Sequence, residues 1–136
     1  MWLDELPGGL PQRAALNGDL SVDVVVVGAG FTGLWTAYYL KTLDPSLSVL
    51  VVEREFVGFG ASGRNGGWAV GELAAGIEKY ARISSLEESL RLTRAVFDSV
   101  DEIGRVAAAC GIDCGYAKGG TIRLARNKAQ LSRQIA

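Results

Sequence analysis

Histidine is absent from all 136 residues, and cysteine is confined to Cys110 and Cys114. A protein metal site normally needs four ligands, and two thiols with no imidazole do not supply them. No metal is therefore expected. The CxxxC pair reads first as two small thiols at a helix end, with a disulfide or a metal contribution as the alternative. An excess of one charge is also lacking: 14 Lys and Arg stand against 15 Asp and Glu, mixed along the chain. Without a basic stripe, nucleic acid is not an expected partner. Long apolar runs are missing as well. The most apolar stretch, Val22 to Val27, falls far below the roughly 20 residues that span a bilayer. The start, Met1-Trp2-Leu3-Asp4-Glu5, is acidic and has no signal-peptide pattern, which makes the cytoplasm the expected compartment.

What is present is the composition of a globular protein, 49% apolar and 21% charged, with length for one modest domain and its core. Residues 1–20 carry Pro7, Pro11, Gly8, Gly9 and Gly18 without periodicity, and read as an arm packed on a larger body, with Trp2 and Leu3 as anchors. At Val22 the character changes. Val22-Asp23-Val24-Val25-Val26-Val27 is β-branched and nearly all apolar, the pattern of a parallel strand buried on both faces. Leu34, Ala37, Tyr38 and Leu40 then mark a helix ending at the Asp44-Pro45 break, and Leu47 to Val52 form a second apolar strand. Strand, glycine turn, helix and strand make a βαβ unit.

Further on, Ser85-Leu86-Glu87-Glu88 has the form of a capping box. It opens a long amphipathic helix whose expected inner face is Leu86, Leu90, Thr93, Phe97, Val100, Ile103 and Ala107, with Gly111 as its stop. A strand over Gly120-Thr121-Ile122-Arg123-Leu124 and a last helix capped by Asn127 complete the pattern, with no internal repeat or low-complexity tract. The expected organisation is an arm (1–20), the first part of a nucleotide-binding domain (21–82), and a helix with the start of a second domain (83–136). A doubly wound sheet needs more than two parallel strands, and the last helix is still running at Ala136, so truncation is expected.

The chemistry begins at Gly28-Ala29-Gly30-Phe31-Thr32-Gly33. A GxGxxG string alone is weak; directly after an apolar strand and opening a helix, it has the context of a dinucleotide cradle. Gly28 allows the tight turn, Gly30 lets a pyrophosphate approach the backbone, and Gly33 lets helix and strand pack closely. The helix N-terminus adds unpaired N–H groups and about half a positive charge. Twenty residues beyond Gly33, Glu53 closes the second strand. A carboxylate there can accept hydrogen bonds from an adenosine ribose, and it would repel a 2′-phosphate. The plain alternative is a glycine turn and a charged strand end.

A βαβ unit does not separate FAD from NAD. An NAD-linked dehydrogenase usually continues into further alternating strands and helices. This chain instead enters a loop, Gly58-Phe59-Gly60-Ala61-Ser62-Gly63-Arg64-Asn65-Gly66-Gly67. Taken with Val24 to Leu34 and Glu53-Arg54, the segment Ala61-Ser62-Gly63-Arg64-Asn65-Gly66-Gly67 resembles the D-amino-acid oxidase-like (DAO) family of FAD-dependent oxidoreductases. The likeness is greatest to its branch acting on amines such as γ-glutamylputrescine. Gly120 to Ala125 is similar to a strand of that family's substrate domain.

The resemblance implies an α/β fold: a Rossmann-like FAD-binding βαβ unit with an incomplete parallel sheet, then a long helix and the start of an α+β substrate domain. It implies FAD held by Gly28, Ala29, Gly30, Phe31, Thr32, Gly33, Glu53 and Arg54. It places Ala61, Ser62, Arg64, Asn65, Gly66 and Gly67 near the flavin, with Ser62 and Asn65 as hydrogen-bond donors. Arg64 would offset charge on a phosphate or reduced flavin; a surface or inter-domain salt bridge is its alternative, as a plain turn is for Gly66 and Gly67. The implied reaction is oxidation of a C–N bond in a small amine or amino acid, with oxygen or another acceptor reoxidising the flavin. No histidyl flavin link is available here, and nothing supports a cysteinyl one. Family members run to several hundred residues, so no catalytic residue is assigned and the isolated chain is expected to be inactive. An NAD-linked dehydrogenase fragment and a non-catalytic nucleotide-binding module are the competing readings.

Overall fold

A computed structural model describes residues 9–10 and 13–135, which divide into two compact units, the chain passing from one to the other between Trp68 and Ala69. Half of the expected arm, including Trp2, Leu3, Pro7 and Pro11, lies outside the described residues. The first unit holds β1 (Val24–Val27), α1 (Phe31–Leu43) and β2 (Val49–Val52). The strands pair in parallel with Val24 opposite Val49 and Val27 opposite Val52, as a βαβ crossover requires. A polar knot fixes the register at the strand entrances. The Asp23 carboxylate accepts from the Ser48 N–H (2.7 Å) and hydroxyl (2.6 Å), while the Asp23 N–H donates to Ser48 Oγ (2.9 Å). These bonds from Ser48 hold the Asp23 carboxyl below the ordinary carboxylate range.

Helix α1 ends where Pro45 forbids continuation, and Lys41 Nζ donates to the carbonyls of Pro45 (2.5 Å) and Leu47 (2.7 Å), closing the turn toward β2. Strand burial departs from the expected two-sided pattern. Val24 and Val26 are half-buried, whereas Val25 and Val27 are 52% and 85% exposed. Side chains alternate along a strand, and α1 is the one α-helix of this unit among the described residues, so one face is covered.

The second unit is organised by α3 (Leu86–Ala109), packed against α2 (Ile77–Ile83), a short helix that no side-chain cap announces. Ser85 caps α3 by accepting the Glu88 N–H at 3.1 Å; the Glu88 carboxylate turns outward to Arg91 (2.8 Å). At the far end Gly111 adopts φ +63°, the Ile112 N–H reaches the Ala107 carbonyl (2.8 Å) and the Gly111 N–H reaches Ala108 (3.3 Å). This is a Schellman stop.

Two expectations need correction here. Of the expected inner face of α3, Thr93, Val100, Ile103 and Ala107 do lie inward, joined by Ser89, Val96 and Val106, whereas Leu86, Leu90 and Phe97 are 60%, 42% and 54% exposed. Several stripes fit a period of 3.6, and packing selected the one with the smaller upper residues. Residues 120–124 form no strand. Ile122 and Leu124 are exposed, Arg123 pairs with Glu72, and among the described residues no neighbouring strand offers a ladder. The final helix, α4 (Lys128–Ile135), does begin at Asn127, whose Oδ1 accepts the Gln130 N–H at 2.9 Å. Cys110 and Cys114 are exposed free thiols. Among the described residues, no helix is long and apolar enough to cross a membrane.

Buried Gly71 lies against α3 so closely that an added Cβ would stand 2.8 Å from Phe97 Cδ1, 3.0 Å from its Cα and 3.3 Å from the Val96 carbonyl oxygen. Two of those atoms are backbone and cannot swing aside. Gly71→Ala is therefore expected to destabilise the chain by about 1–3 kcal/mol, the usual cost of overpacking. A denaturation midpoint equal to that of the parent chain would refute this.

Candidate functional site

The site is the turn from β1 into α1, together with the end of β2 and the loop that follows it. β1 delivers the chain to Gly28, whose φ of +102° turns it back sharply. Its N–H still bonds the Val52 carbonyl (2.7 Å), so the turn begins on the sheet. A Cβ on Gly33 would lie 2.0 Å from the Gly28 carbonyl oxygen and 3.2 Å from Val26 Cγ1. Only glycine lets α1 approach the strand this closely.

Helix α1 starts after Gly30, which offers no side-chain cap. Its first amide, Phe31 N–H, donates to Ser62 Oγ at 2.9 Å. The amides of Thr32 and Gly33 have no acceptor among the described residues, leaving two donors and the positive end of the helix at the mouth of the turn. Phe31 and Thr32 are exposed, and Ala29 is buried beneath them.

Glu53 reaches back from β2 to this turn. Its Oε2 accepts the Ala29 N–H (2.9 Å) and its Oε1 accepts the Glu55 N–H (3.2 Å). These two bonds, the Ala29 one larger, hold its carboxyl below the ordinary glutamate value. Each carboxylate oxygen can accept twice, so the group remains able to take two further donors. Arg54 points into solvent, with its Nε on Glu55 (3.1 Å).

After Glu53 the loop folds onto the same turn. The Gly58 N–H donates to the Ala29 carbonyl (2.9 Å), and Ala61–Gly63 form a single 3₁₀ turn that carries Ser62 to α1. Ser62 Oγ is thus an acceptor toward the protein, and its own proton goes to none of the described residues. Asn65 is engaged with the loop: its amide donates to the Ser62 carbonyl (2.7 Å) and its Oδ1 accepts the Gly67 N–H (2.8 Å). Arg64 donates from Nε to the Phe59 carbonyl (2.9 Å) and lies 5.0 Å over the Phe59 ring, a cation–π contact within its own loop. Gly67 turns the chain at φ +71°, and Gly66 stands in open space. The structure therefore gathers Ala29, Gly30, Phe31, Glu53 and Ser62 around one point, while Arg54 projects away. Gly58 and Gly63 were missing from the expected set. Their signal is the spacing of Gly58, Gly60 and Gly63, which repeats that of Gly28, Gly30 and Gly33.

The low-lying Glu53 carboxyl gives a pH dependence. A carboxyl whose pKa is depressed in the folded state contributes stability above its unfolded value, about 4.3 for glutamate. That contribution is lost as pH falls through the lower folded value. The turn should hold from neutral pH to about pH 5 and loosen below about pH 4. Asp23 and Asp44, also lowered by serine hydrogen bonds, titrate in the same direction, so Glu53→Gln should flatten the acid limb only in part. An unchanged acid limb in Glu53→Gln, followed by circular dichroism, would contradict this role.

The model of the FAD dependent oxidoreductase family (DAO) matches residues 23–136. A gamma-glutamylputrescine oxidoreductase of Escherichia coli is 35% identical over 86% of this chain and 27% of its own length. A probable oxidoreductase, OrdL, of Haemophilus influenzae is 36% identical over 71% of the chain and 22% of its own length. The beta subunit of sarcosine oxidase of Rhodobacter capsulatus is 49% identical over 32% of the chain and 10% of its own length. The chain thus spans about a quarter of the length of the first two relatives. No solved structure matches. With a family match from Asp23 to the last residue, and with a β1–Gly28–α1 turn of the kind such a family needs, the NAD-linked reading is set aside: this chain belongs to the FAD dependent oxidoreductase family.

Proposed function

We propose that these 136 residues grip the adenosine and pyrophosphate end of FAD for an oxidoreductase that acts on the C–N bond of an amine or amino acid. The observation that carries the binding half is the double attachment of loop 58–67 to the first glycine turn, Phe31 N–H to Ser62 and Gly58 N–H to Ala29. It brings a serine proton to the mouth where the helix N-terminus and the Glu53 carboxylate already stand together. The fit is physical. Among the described residues the Gly30 backbone is open except toward Ser62, the amides of Thr32 and Gly33 await an anion, and Glu53 retains capacity for two ribose hydroxyls. FAD, when bound, supplies the hydride acceptor.

The chain's own groups hold and orient. The α1 amides and dipole neutralise phosphate, Ser62 donates its proton there, and Glu53 reads the ribose. Asn65 and the Arg64–Phe59 stack stiffen the loop leading toward the ring system, along which Ala61, Gly66 and Gly67 keep side-chain bulk small. The amine half rests on the names of the relatives, and turnover is proposed for a chain of their full length, with oxygen or another acceptor closing the cycle. No residue here is assigned a catalytic role. Neither a metal nor a nucleic acid has a part in this reading, and the cytoplasm is its proposed setting.

The test has two arms. The 136-residue chain mixed with FAD should retain it through gel filtration and turn yellow, while NAD is not retained; absence of retained FAD would overturn the binding half. A full-length version under anaerobic conditions should bleach when offered members of an amine and amino-acid panel. No bleaching by any of them would overturn the C–N assignment.

A further inference from the structure

The second glycine string is built like the first. Gly28 and Gly58 both have positive φ (102° and 78°), and Gly30 and Gly60 are both extended residues that open a helical turn, at Phe31 and Ala61. A Cβ on Gly63 would lie 2.4 Å from the Gly58 carbonyl oxygen, as one on Gly33 would lie 2.0 Å from that of Gly28. The two turns also interlock. The Gly58 N–H bonds the Ala29 carbonyl (2.9 Å), the Phe31 N–H bonds Ser62 Oγ (2.9 Å), and Ser62 Oγ lies against the bare Gly30 backbone, 3.0 Å from where a Cβ would be.

We propose that Gly58 and Gly63 are positioning residues, which build a second glycine turn whose task is to hold the Ser62 hydroxyl on the first amide of α1. The argument is geometric. Ser62 reaches Phe31 only because the chain reverses at Gly58, and that reversal closes only because Gly63 has no side chain against the Gly58 carbonyl. A serine that accepts from Phe31 keeps its own proton for an anion, so the helix end is presented through a hydroxyl as well as through bare amides. Gly63 acts on the cofactor through Ser62 and does not touch it. This extends the FAD-binding reading and rests on it for its second readout.

The experiment compares Ser62→Ala, Gly63→Ala, their double variant and Ser62→Thr in the full 136-residue chain. Amide hydrogen exchange at Phe31 is read by NMR, and FAD affinity by quenching of flavin fluorescence. Ser62→Ala and Gly63→Ala should each speed Phe31 exchange at least about fivefold and weaken FAD by about five- to tenfold, the loss of one hydrogen bond. Ser62→Thr, which keeps the hydroxyl, should preserve both. The double variant should be no worse than Gly63→Ala, because both remove one interaction. Parental Phe31 exchange in Gly63→Ala, or losses that multiply in the double variant, would overturn the proposal. If the parent chain takes up no FAD, the binding reading fails, while Phe31 exchange still decides whether Gly63 places Ser62.

Discussion

Gly33→Ala is expected to cost about 3 kcal/mol or more, enough to unseat α1 from the sheet. The missing Cβ of Gly33 would stand 2.0 Å from the Gly28 carbonyl oxygen and 3.2 Å from its carbon. Both are backbone atoms of the turn itself. Neither can rotate away, so the helix must lift or the turn must open. Overpacking of this kind typically costs about 1–3 kcal/mol, and contact with backbone puts the site at the upper end or beyond it. Working the other way, alanine is the better helix former by about 1 kcal/mol. That gain is too small to change the sign. With Ala29 the one buried apolar side chain of the first unit among the described residues, little other packing is left to absorb the loss. Urea unfolding followed by circular dichroism should show an earlier transition, and FAD should be lost along with it. A parental midpoint would mean that the close approach at Gly33 does not hold this unit together.

How much of this was legible beforehand depended on whether the signal was local. The β1–α1–β2 unit was legible because each boundary has a residue with one job: Gly28 turns with positive φ, Pro45 ends the helix, and the valine runs supply the strands. Ser85 and Gly111 marked the ends of α3 for the same reason. Expectations failed where the answer lay in a partner. Residues 120–124 have a strand's composition, but a strand exists only when another offers a ladder. The stripe through Leu86, Leu90 and Phe97 has the right period, yet packing placed Ser89 and Val96 inside. The candidate site followed the same rule. Gly28, Gly30, Gly33 and Glu53 declared themselves by spacing. That Ser62 accepts from Phe31, and that Arg64 stays with Phe59, depends on where a loop lands, which no periodicity encodes.

The second and third glycines of the first turn, Gly30 and Gly33, should then separate fold from cofactor. Gly30 has φ −85° and ψ −177°, an extended conformation open to any residue, and among the described residues only Ser62 lies near the position of a Cβ. Gly30→Val should therefore leave the secondary structure and most of the stability intact, unlike Gly33→Ala. Its effect should fall on binding. The valine Cβ would start 3.0 Å from Ser62 Oγ, and its two methyl groups need the room that the hydroxyl and an approaching pyrophosphate would share. Losing the serine contact alone would weaken FAD about five- to tenfold. Blocking the approach of the phosphates removes the α1 amides as well, so retention should fall by roughly a hundredfold or more, to none through gel filtration. Gly30→Ala should lie between, because a single methyl asks the hydroxyl to move only a few tenths of an ångström. A folded Gly30→Val chain that still comes off the column yellow would place the pyrophosphate elsewhere and remove the first glycine turn from the site. A colourless, folded one would show that the turn's second glycine serves the cofactor while its third serves the fold.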